Sequence, residues 1–510
     1  MKNHYPLLFI LLFLFQVSLA ASYKISVDSA TTKHENQKPE KSVTDHSIQI
    51  NGKTIKYTAT SGFLVLKDKE GNPEASMDYF SYIAKGVKEN DRPITFAFNG
   101  GPGSSSIWLH MGALGPKRIV TADTTQTPPP PFNIVDNQFS ILDKSDLVMI
   151  DPVGTGFSKA LGKKKNEDFW GVDADIESLS NFIKQYVSEN GRWNSPKYII
   201  GESYGTTRGA GIVNYLQSNE NMSFNGIVLI STAMDIGTLA DGITGHELPY
   251  ALYLPTYAAV SWYHHKLPEQ NIEFATLIEN VRKFALGDYI DALLKGNSIT
   301  EQERNDIAEK LHEYTGLSKD YILKANLRIK EGEFTQQLLD KERETVGRID
   351  ARFKGFTFDP LSQYADYDPL FPAVSPAFTA AFLDYIHNDL DFGNDMDYSV
   401  LTSLFSRWKW THRASSGEFQ YVVNTSVDLA YAIDLNPYLK VLVMQGYFDL
   451  ATPFLATEYT FSHMNLKKQL QSNVEIKYYQ AGHMMYIHKP SLEKMKKDLD
   501  EFYDSTDRIK

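Results

Sequence analysis

Short, uninterrupted apolar runs constrain this chain more than any other feature: PITFAF (93–98), DLVMI (146–150), KYII (197–200), GIVLIS (226–231) and, much later, KVLVM (440–444) and VEIKYY (474–479). Runs of this length are too short for helices and lack the alternation of a half-exposed strand. They read as strands covered on both faces by crossover helices, which is the pattern of a mostly parallel α/β sheet. Before them, SIQIN, KTIKYTATSGFLVL and ASMDYFSYIAKGV do alternate and are separated by Asn51-Gly52 and Glu70-Gly71-Asn72-Pro73, so they are expected to be antiparallel strands at the N-terminal edge.

Between about 240 and 435 the strand runs thin out and helical spacing takes over. ATLIENVRKFALGDYIDALLKG is one such segment; SITEQERNDIAEKLHEYTG is another, with Ser298 or Thr300 as cap and Gly316 as stop. An insertion of this size between sheet strands predicts a helical cap. The expected organisation is a signal peptide at 1–20, a polar leader at 21–45, the first part of the core at 46–239, the cap at 240–435 and the last part of the core at 436–510. No solenoid repeat interrupts it, and Pro128 to Pro131 is a stiff loop.

The signal peptide rests on Lys2, the apolar run PLLFILLFLF and small residues at Ser18 and Ala20. No later segment is apolar for the ~20 residues a spanning helix needs, so no stable membrane anchor is expected. The chain of 510 residues has no cysteine, which excludes disulfides, thiolate metal sites and a cysteine nucleophile. Export without disulfides suits a bacterial periplasm or the medium; Asn221-Met-Ser and Asn424-Thr-Ser are then chance sequons. A formal charge of −12 without a Lys/Arg-rich face argues against nucleic acid as a partner.

GESYG (201–205) follows KYII and precedes a segment able to start a helix. That is the strand-turn-helix setting in which a serine is presented on a strained turn between small neighbours. Its partners are expected later in the chain, acid before histidine. Asp449 follows KVLVM and His483 follows VEIKYY, both at C-terminal ends of predicted strands, where open α/β sheets place their sites. His483 would take the Ser203 proton, with Asp449 orienting it. The glycine loop Asn99-Gly-Gly-Pro-Gly-Ser104 after PITFAF supplies Gly101 as an oxyanion donor alongside the Tyr204 N–H. The same loop lacks the lysine of a phosphate cradle.

SGFLV (61–65), NGGPGSSS (99–106), DPVGTGFS (151–158), GESYG, GYFDLATP (446–453) and AGHMMY (481–486) together resemble, in order, the signature blocks of the serine carboxypeptidase family. The resemblance implies an α/β-hydrolase fold with an inserted cap and removal of C-terminal residues from a peptide or protein with a free C-terminus, without cofactor or metal. It also implies that Asn99 and Glu202 bind the terminal carboxylate, through a carboxyl kept protonated. The chain departs from the family at Ala97, where tryptophan is usual, at Ala113, where many members have glutamate, at Ser104, usually cysteine, and at Gly205-Thr206, usually Ala-Gly. These departures point to a different terminal-carboxylate site. An esterase or acyltransferase would share the triad, and a catalytically silent binding protein would share the fold.

Other residues are set aside. His264-His265 is read as a surface pair and His488 as lacking the glycine turn before His483, while His110 is a candidate pocket residue. Asp366 and Asp368 are read as turn residues and not a calcium loop. Trp262, Trp408 and Trp410 are expected to pack the cap.

Overall fold

The computed structural model describes residues 41–507 of the chain, so the signal peptide and most of the polar leader lie outside the described residues. The core is one twisted sheet of β1 (Lys41–Ile50), β2 (Lys53–Lys67), β3 (Pro73–Ala84), β4 (Ile94–Phe98), β5 (Asp146–Ile150), β6 (Lys197–Glu202), β7 (Gly226–Ile230), β8 (Lys440–Gly446) and β9 (Val474–Tyr479). Their spatial order is β1-β2-β3-β5-β4-β6-β7-β8-β9. The first three strands and β5 pair antiparallel, and from β5 onward every pair is parallel. This is the α/β-hydrolase fold. Strand β1 starts at Lys41, inside the stretch that composition assigns to a leader. Its polar residues pair with β2 through the backbone and expose their side chains, so low hydrophobicity is no obstacle there.

The apolar runs are continuous because both faces of the sheet are covered. Successive residues go to opposite sides: Ile94, Phe96, Phe98, Val148, Ile199, Leu229 and Val443 pack with α1 (Val172–Glu189), α2 (Tyr204–Glu220) and α8 (Ser426–Leu435). Ala97, Leu147, Met149, Ile200, Val228 and Met444 pack with α7 (Leu370–Asn388) and α10 (Lys489–Thr506). Each fully buried Ile, Leu or Phe contributes about 1.5–3 kcal/mol. VEIKYY is the exception. As β9 it is the outer edge of the sheet and most of its residues are only half buried.

The 240–435 stretch does not pack as one body. A separate apolar cluster joins α3 (Leu248–Tyr263), α4 (Phe274–Phe284), α5 (Glu301–Thr315) and α6 (Glu331–Gln337) to Phe448 and to Phe454 of α9 (Phe454–Ser462). Helices α7 and α8 instead belong to the two faces of the sheet. Helix α5 begins at Thr300, whose hydroxyl accepts from Glu303 N–H while the Glu303 carboxylate accepts from Thr300 N–H, and ends at left-handed Gly316. The long segment from Phe274 breaks at Gly287, whose backbone leaves the helical region.

Candidate active site

The C-terminal ends of β4, β6, β7 and β8 and the loop after β9 deliver Asn99, Ser203, Ser231, Asp449 and His483 to one edge of the sheet. Ser203 lies between β6 and α2 at φ 61° and ψ −130°, a left-handed conformation that costs a non-glycine residue of order 1–3 kcal/mol. The turn is held by Thr206, whose N–H and hydroxyl both donate to Ser203 O, at 2.8 and 2.7 Å, and whose hydroxyl accepts from Ala233 N–H. Small neighbours are obligatory: a Cβ on Gly201 would lie 2.2 Å from Gly205 O. Threonine in place of the family's usual glycine at 206 is thus the residue that fastens the turn to the loop after β7.

His483 Nδ1 is 2.8 Å from Asp449 Oδ2, and both side chains are buried. Asp449 is locked in turn: Oδ1 accepts from Ala451 and Thr452 N–H, and Oδ2 from the Thr452 hydroxyl at 2.6 Å. Burial works against the imidazolium, but the Asp449 charge and hydrogen bond outweigh it and raise the His483 pKa. The end of β7 joins the pieces, since Ser203 N–H donates to Ile230 O and the Ser231 hydroxyl donates to His483 O at 2.7 Å. Among the described residues the imidazole bonds to Asp449 and Thr452, and not to Ser203.

The glycine loop comes close under the serine turn. A Cβ on Gly100 would sit 2.4 Å from Tyr204 N, and Gly101 has φ +107°. Tyr204 is the first residue of α2, so its N–H has no intrahelical acceptor. An N–H at a helix start beside a glycine loop can stabilise developing negative charge on an oxygen. Beneath the loop the buried Arg208 guanidinium bonds Asn99 O and pairs with Asp175, fixing the end of β4.

Asn99 Nδ2 donates to Glu202 Oε1 at 2.9 Å, and Asn99 Oδ1 accepts from Leu109 N–H, which fixes the amide orientation. Burial pushes the Glu202 pKa up to about 7, against the lowering effect of His483 and of hydrogen bonding from Tyr486 and Asn99. Glu202 Oε2 and the Tyr486 hydroxyl are both buried without a well-formed partner. The Tyr486 ring rests on Gly112, where any Cβ would be 2.4 Å from it, directly beside Ala113. The aromatic ring therefore takes space next to the position where the family often carries glutamate. Within AGHMMY, Tyr486 carries no motif that assigns it a role from sequence. Its signal was a position three residues after the histidine, facing a glycine.

Several set-aside residues are placed differently from expectation. His110 is buried in the core, 2.6 Å from the Tyr82 hydroxyl and packed on Phe80 and Phe382, not in the cleft, and burial lowers its pKa to about 3. Of the pair read as a surface feature, His265 is exposed, while His264 is half buried and bonds Ala351 O. Trp408 packs edge-on against Tyr204 and donates toward its hydroxyl, in the core instead of the cap. Asp368 accepts from Arg348, Ile349 and Leu370 N–H, and Asp366 from Phe358 and Asp359 N–H, as turn residues do. Among the described residues no three His, Asp or Glu side chains cluster as metal ligands, and no helix is long and apolar enough to cross a membrane.

A strained serine after a central strand, with an acid–histidine pair from two later strand ends, is the arrangement in which α/β-hydrolase folds present a nucleophile elbow. The family model of serine carboxypeptidases matches residues 50–495, and the chain belongs to that family. Among curated relatives, a rice protein described as serine carboxypeptidase-like is 31% identical over 134 residues, 26% of this chain and 28% of its own length. The pheromone-processing carboxypeptidase KEX1 of Saccharomyces cerevisiae is 30% identical over 156 residues, 28% of this chain and 20% of its own length. A carboxypeptidase Y homolog from Podospora anserina is 28% identical over 188 residues, 37% of this chain and 30% of its own length. The aligned stretches thus span less than a third of each relative.

Proposed function

We propose that this chain is an exported serine carboxypeptidase in which Ser203, His483 and Asp449 form the catalytic triad. The observation that carries the carboxypeptidase reading over a general esterase is the buried Glu202 carboxyl, bonded to Asn99 and adjacent to the histidine, with a pKa of about 7.

The Ser203 hydroxyl attacks the penultimate carbonyl carbon while His483 Nε2 takes its proton. Asp449 holds the other ring nitrogen and stabilises the imidazolium. The oxyanion is met by Gly101 and Tyr204 N–H. Collapse breaks the C–N bond, His483 returns the proton to the leaving amine, and the last residue departs. Water activated by His483 then releases the acyl group from Ser203. Neutral Glu202 donates a hydrogen bond to the terminal carboxylate, whereas ionised Glu202 would repel it. Because its raised pKa keeps the proton on below about pH 7, binding weakens as pH rises through that value.

The test follows release of the last residue from a blocked dipeptide, its C-terminal amide and a simple ester between pH 4 and 8, with Ser203→Ala as control. The expected result is a KM for the acid that climbs above pH 7, a flat KM for the amide, and loss of the climb in Glu202→Gln. Ester cleavage without peptide cleavage would replace this reading with the esterase or acyltransferase one. Absence of fluorophosphonate labelling at Ser203 would leave only a silent binding protein.

A further inference from the structure

Resting on the carboxypeptidase reading, we infer that Arg348 is a specificity-determining residue of the cleft, receiving the carboxylate of an acidic side chain next to the bond being cleaved. Among the described residues of 240–435, residues 348–351 bond through the backbone to both loops, the one carrying Asp449 and the one carrying His483. Arg348 O accepts from Leu450 N–H, immediately after Asp449, at 3.0 Å; Ile349 O accepts from His483 N–H at 2.7 Å; and Ala351 N–H donates to Phe448 O at 3.0 Å. Asp368 holds the Arg348 and Ile349 N–H groups from the other side. The Arg348 backbone is therefore fixed beside the acid and the base together.

Its side chain is not used up by this arrangement. It is half exposed, and its charge acts on Asp449, His483 and Tyr253 alike. Among the described residues its carboxylate contact runs from Nε to Glu331 Oε2 at 3.4 Å, long beside the ~2.7–2.9 Å of a charge-assisted hydrogen bond. Nearby Arg352 shows the contrast: it is buried and holds Asp350 at 2.6 Å. Glu331, the first residue of α6, is itself pushed up to about 7 by burial, despite Arg348, so near neutrality it only partly balances the guanidinium, whose charge also acts on Asp449, Asp368 and Asp241 without an ion pair to any of them. A planar cation with spare donors beside a catalytic histidine is suited to bidentate capture of a carboxylate. On a chain of net charge −12 it also offsets the general repulsion an acidic peptide would meet.

The experiment measures how well blocked peptides with Glu or Gln at the last or the penultimate position protect Ser203 from fluorophosphonate labelling. Wild type, Arg348→Gln and Arg348→Lys are compared, and residue release from the same peptides is scored separately. The Glu peptide should protect at least tenfold better than its Gln twin at one of the two positions in wild type. That ratio should fall close to one in Arg348→Gln and be retained in part in Arg348→Lys. An equal ratio in wild type and Arg348→Gln, a wild-type ratio near one, or no protection by any peptide overturns the proposal. If Arg348→Gln does not label, the wild-type ratio and Arg348→Lys still decide. Protection by Glu peptides without residue release would strike the carboxypeptidase reading and leave the role of Arg348 standing.

Discussion

The two ends of β5 carry buried carboxylates with opposite solutions to the same problem. At its start, Asp146 is met by two buried arginines: Arg92 Nε at 2.7 Å on Oδ1 and Arg192 Nη1 at 2.7 Å on Oδ2, with Ala84 N–H completing the set. Just past its end, Asp151 accepts from Ser106 N–H and the Tyr398 hydroxyl, both at 2.6 Å, and faces Asp78, which accepts from the Ser158 hydroxyl and Phe157 N–H. Among the described residues no Lys or Arg pairs with either of these acids, and the two carboxyls hydrogen-bond each other. Burial, and then the charge of Asp151, raise the Asp78 pKa well above its ordinary value, and burial raises Asp151 as well. Away from the site, a fixed cation neutralises the buried charge. Beside the loop that carries Ser106 and Gly101, two buried carboxyls face each other without a paired cation, and burial shifts both toward the protonated form.

The largest effect should come from removing the compensated acid. Asp146→Ala strands two buried guanidinium groups and should cost about 3–5 kcal/mol in urea unfolding. A cost under 1 kcal/mol would mean that water relaxes into that end and the contrast is false.

His412 is an intermediate case that sharpens the contrast, because here two acids recruit a titratable cation. Its Nδ1 is 2.6 Å from Asp173 and its Nε2 2.7 Å from Asp428. Burial opposes the charge, but the two aspartates raise the pKa to about 9. A raised folded pKa contributes stability that is full below the unfolded value near 6.5 and is lost as pH rises through 9. His412→Gln should therefore cost about 1.5–3 kcal/mol at pH 6, the range of a charged hydrogen bond, and progressively less toward pH 10. A pH-independent penalty would show that the ring is held neutral.

The smallest effect is expected at the end where two carboxyls face each other. Asp78→Asn keeps a neutral hydrogen-bonding group and should cost about 1 kcal/mol or less near neutrality. With a raised folded pKa, the wild-type pair is most stable below pH ~4 and loses stability as pH climbs through the shifted value. The variant should flatten that slope in thermal melts between pH 4 and 8. A steep slope in the variant would place the proton elsewhere.

Much of this arrangement was readable one residue at a time. The apolar runs became β4 to β9, GESYG became the strained turn, and Thr300, Glu303 and Gly316 bounded α5 as their chemistry requires. Each of these signals is local, because it reports backbone preference or burial on both faces of a strand. The misplacements share one cause. His110, Trp408 and α7 are defined by what packs against them from more than a hundred residues away or from another layer, and nothing in their own neighbourhood announces the partner. Tyr486 and Arg348 belong to the same group, since each matters through a neighbour remote in sequence: Gly112 and Glu202 for one, Asp449 and His483 for the other.

The sequence alone determined the sheet, the order in which serine, acid and histidine arrive, and the glycines that let two backbones meet, because periodicity and steric exclusion act within a few residues. The tertiary structure decided which charges face one another: that Asp146 receives two arginines and Asp78 another carboxyl, that burial raises the Glu202 pKa, and that residues 348–351 bond the loops carrying Asp449 and His483. Electrostatic energies depend on distance and desolvation, and the folded chain sets both across separations that no local pattern encodes.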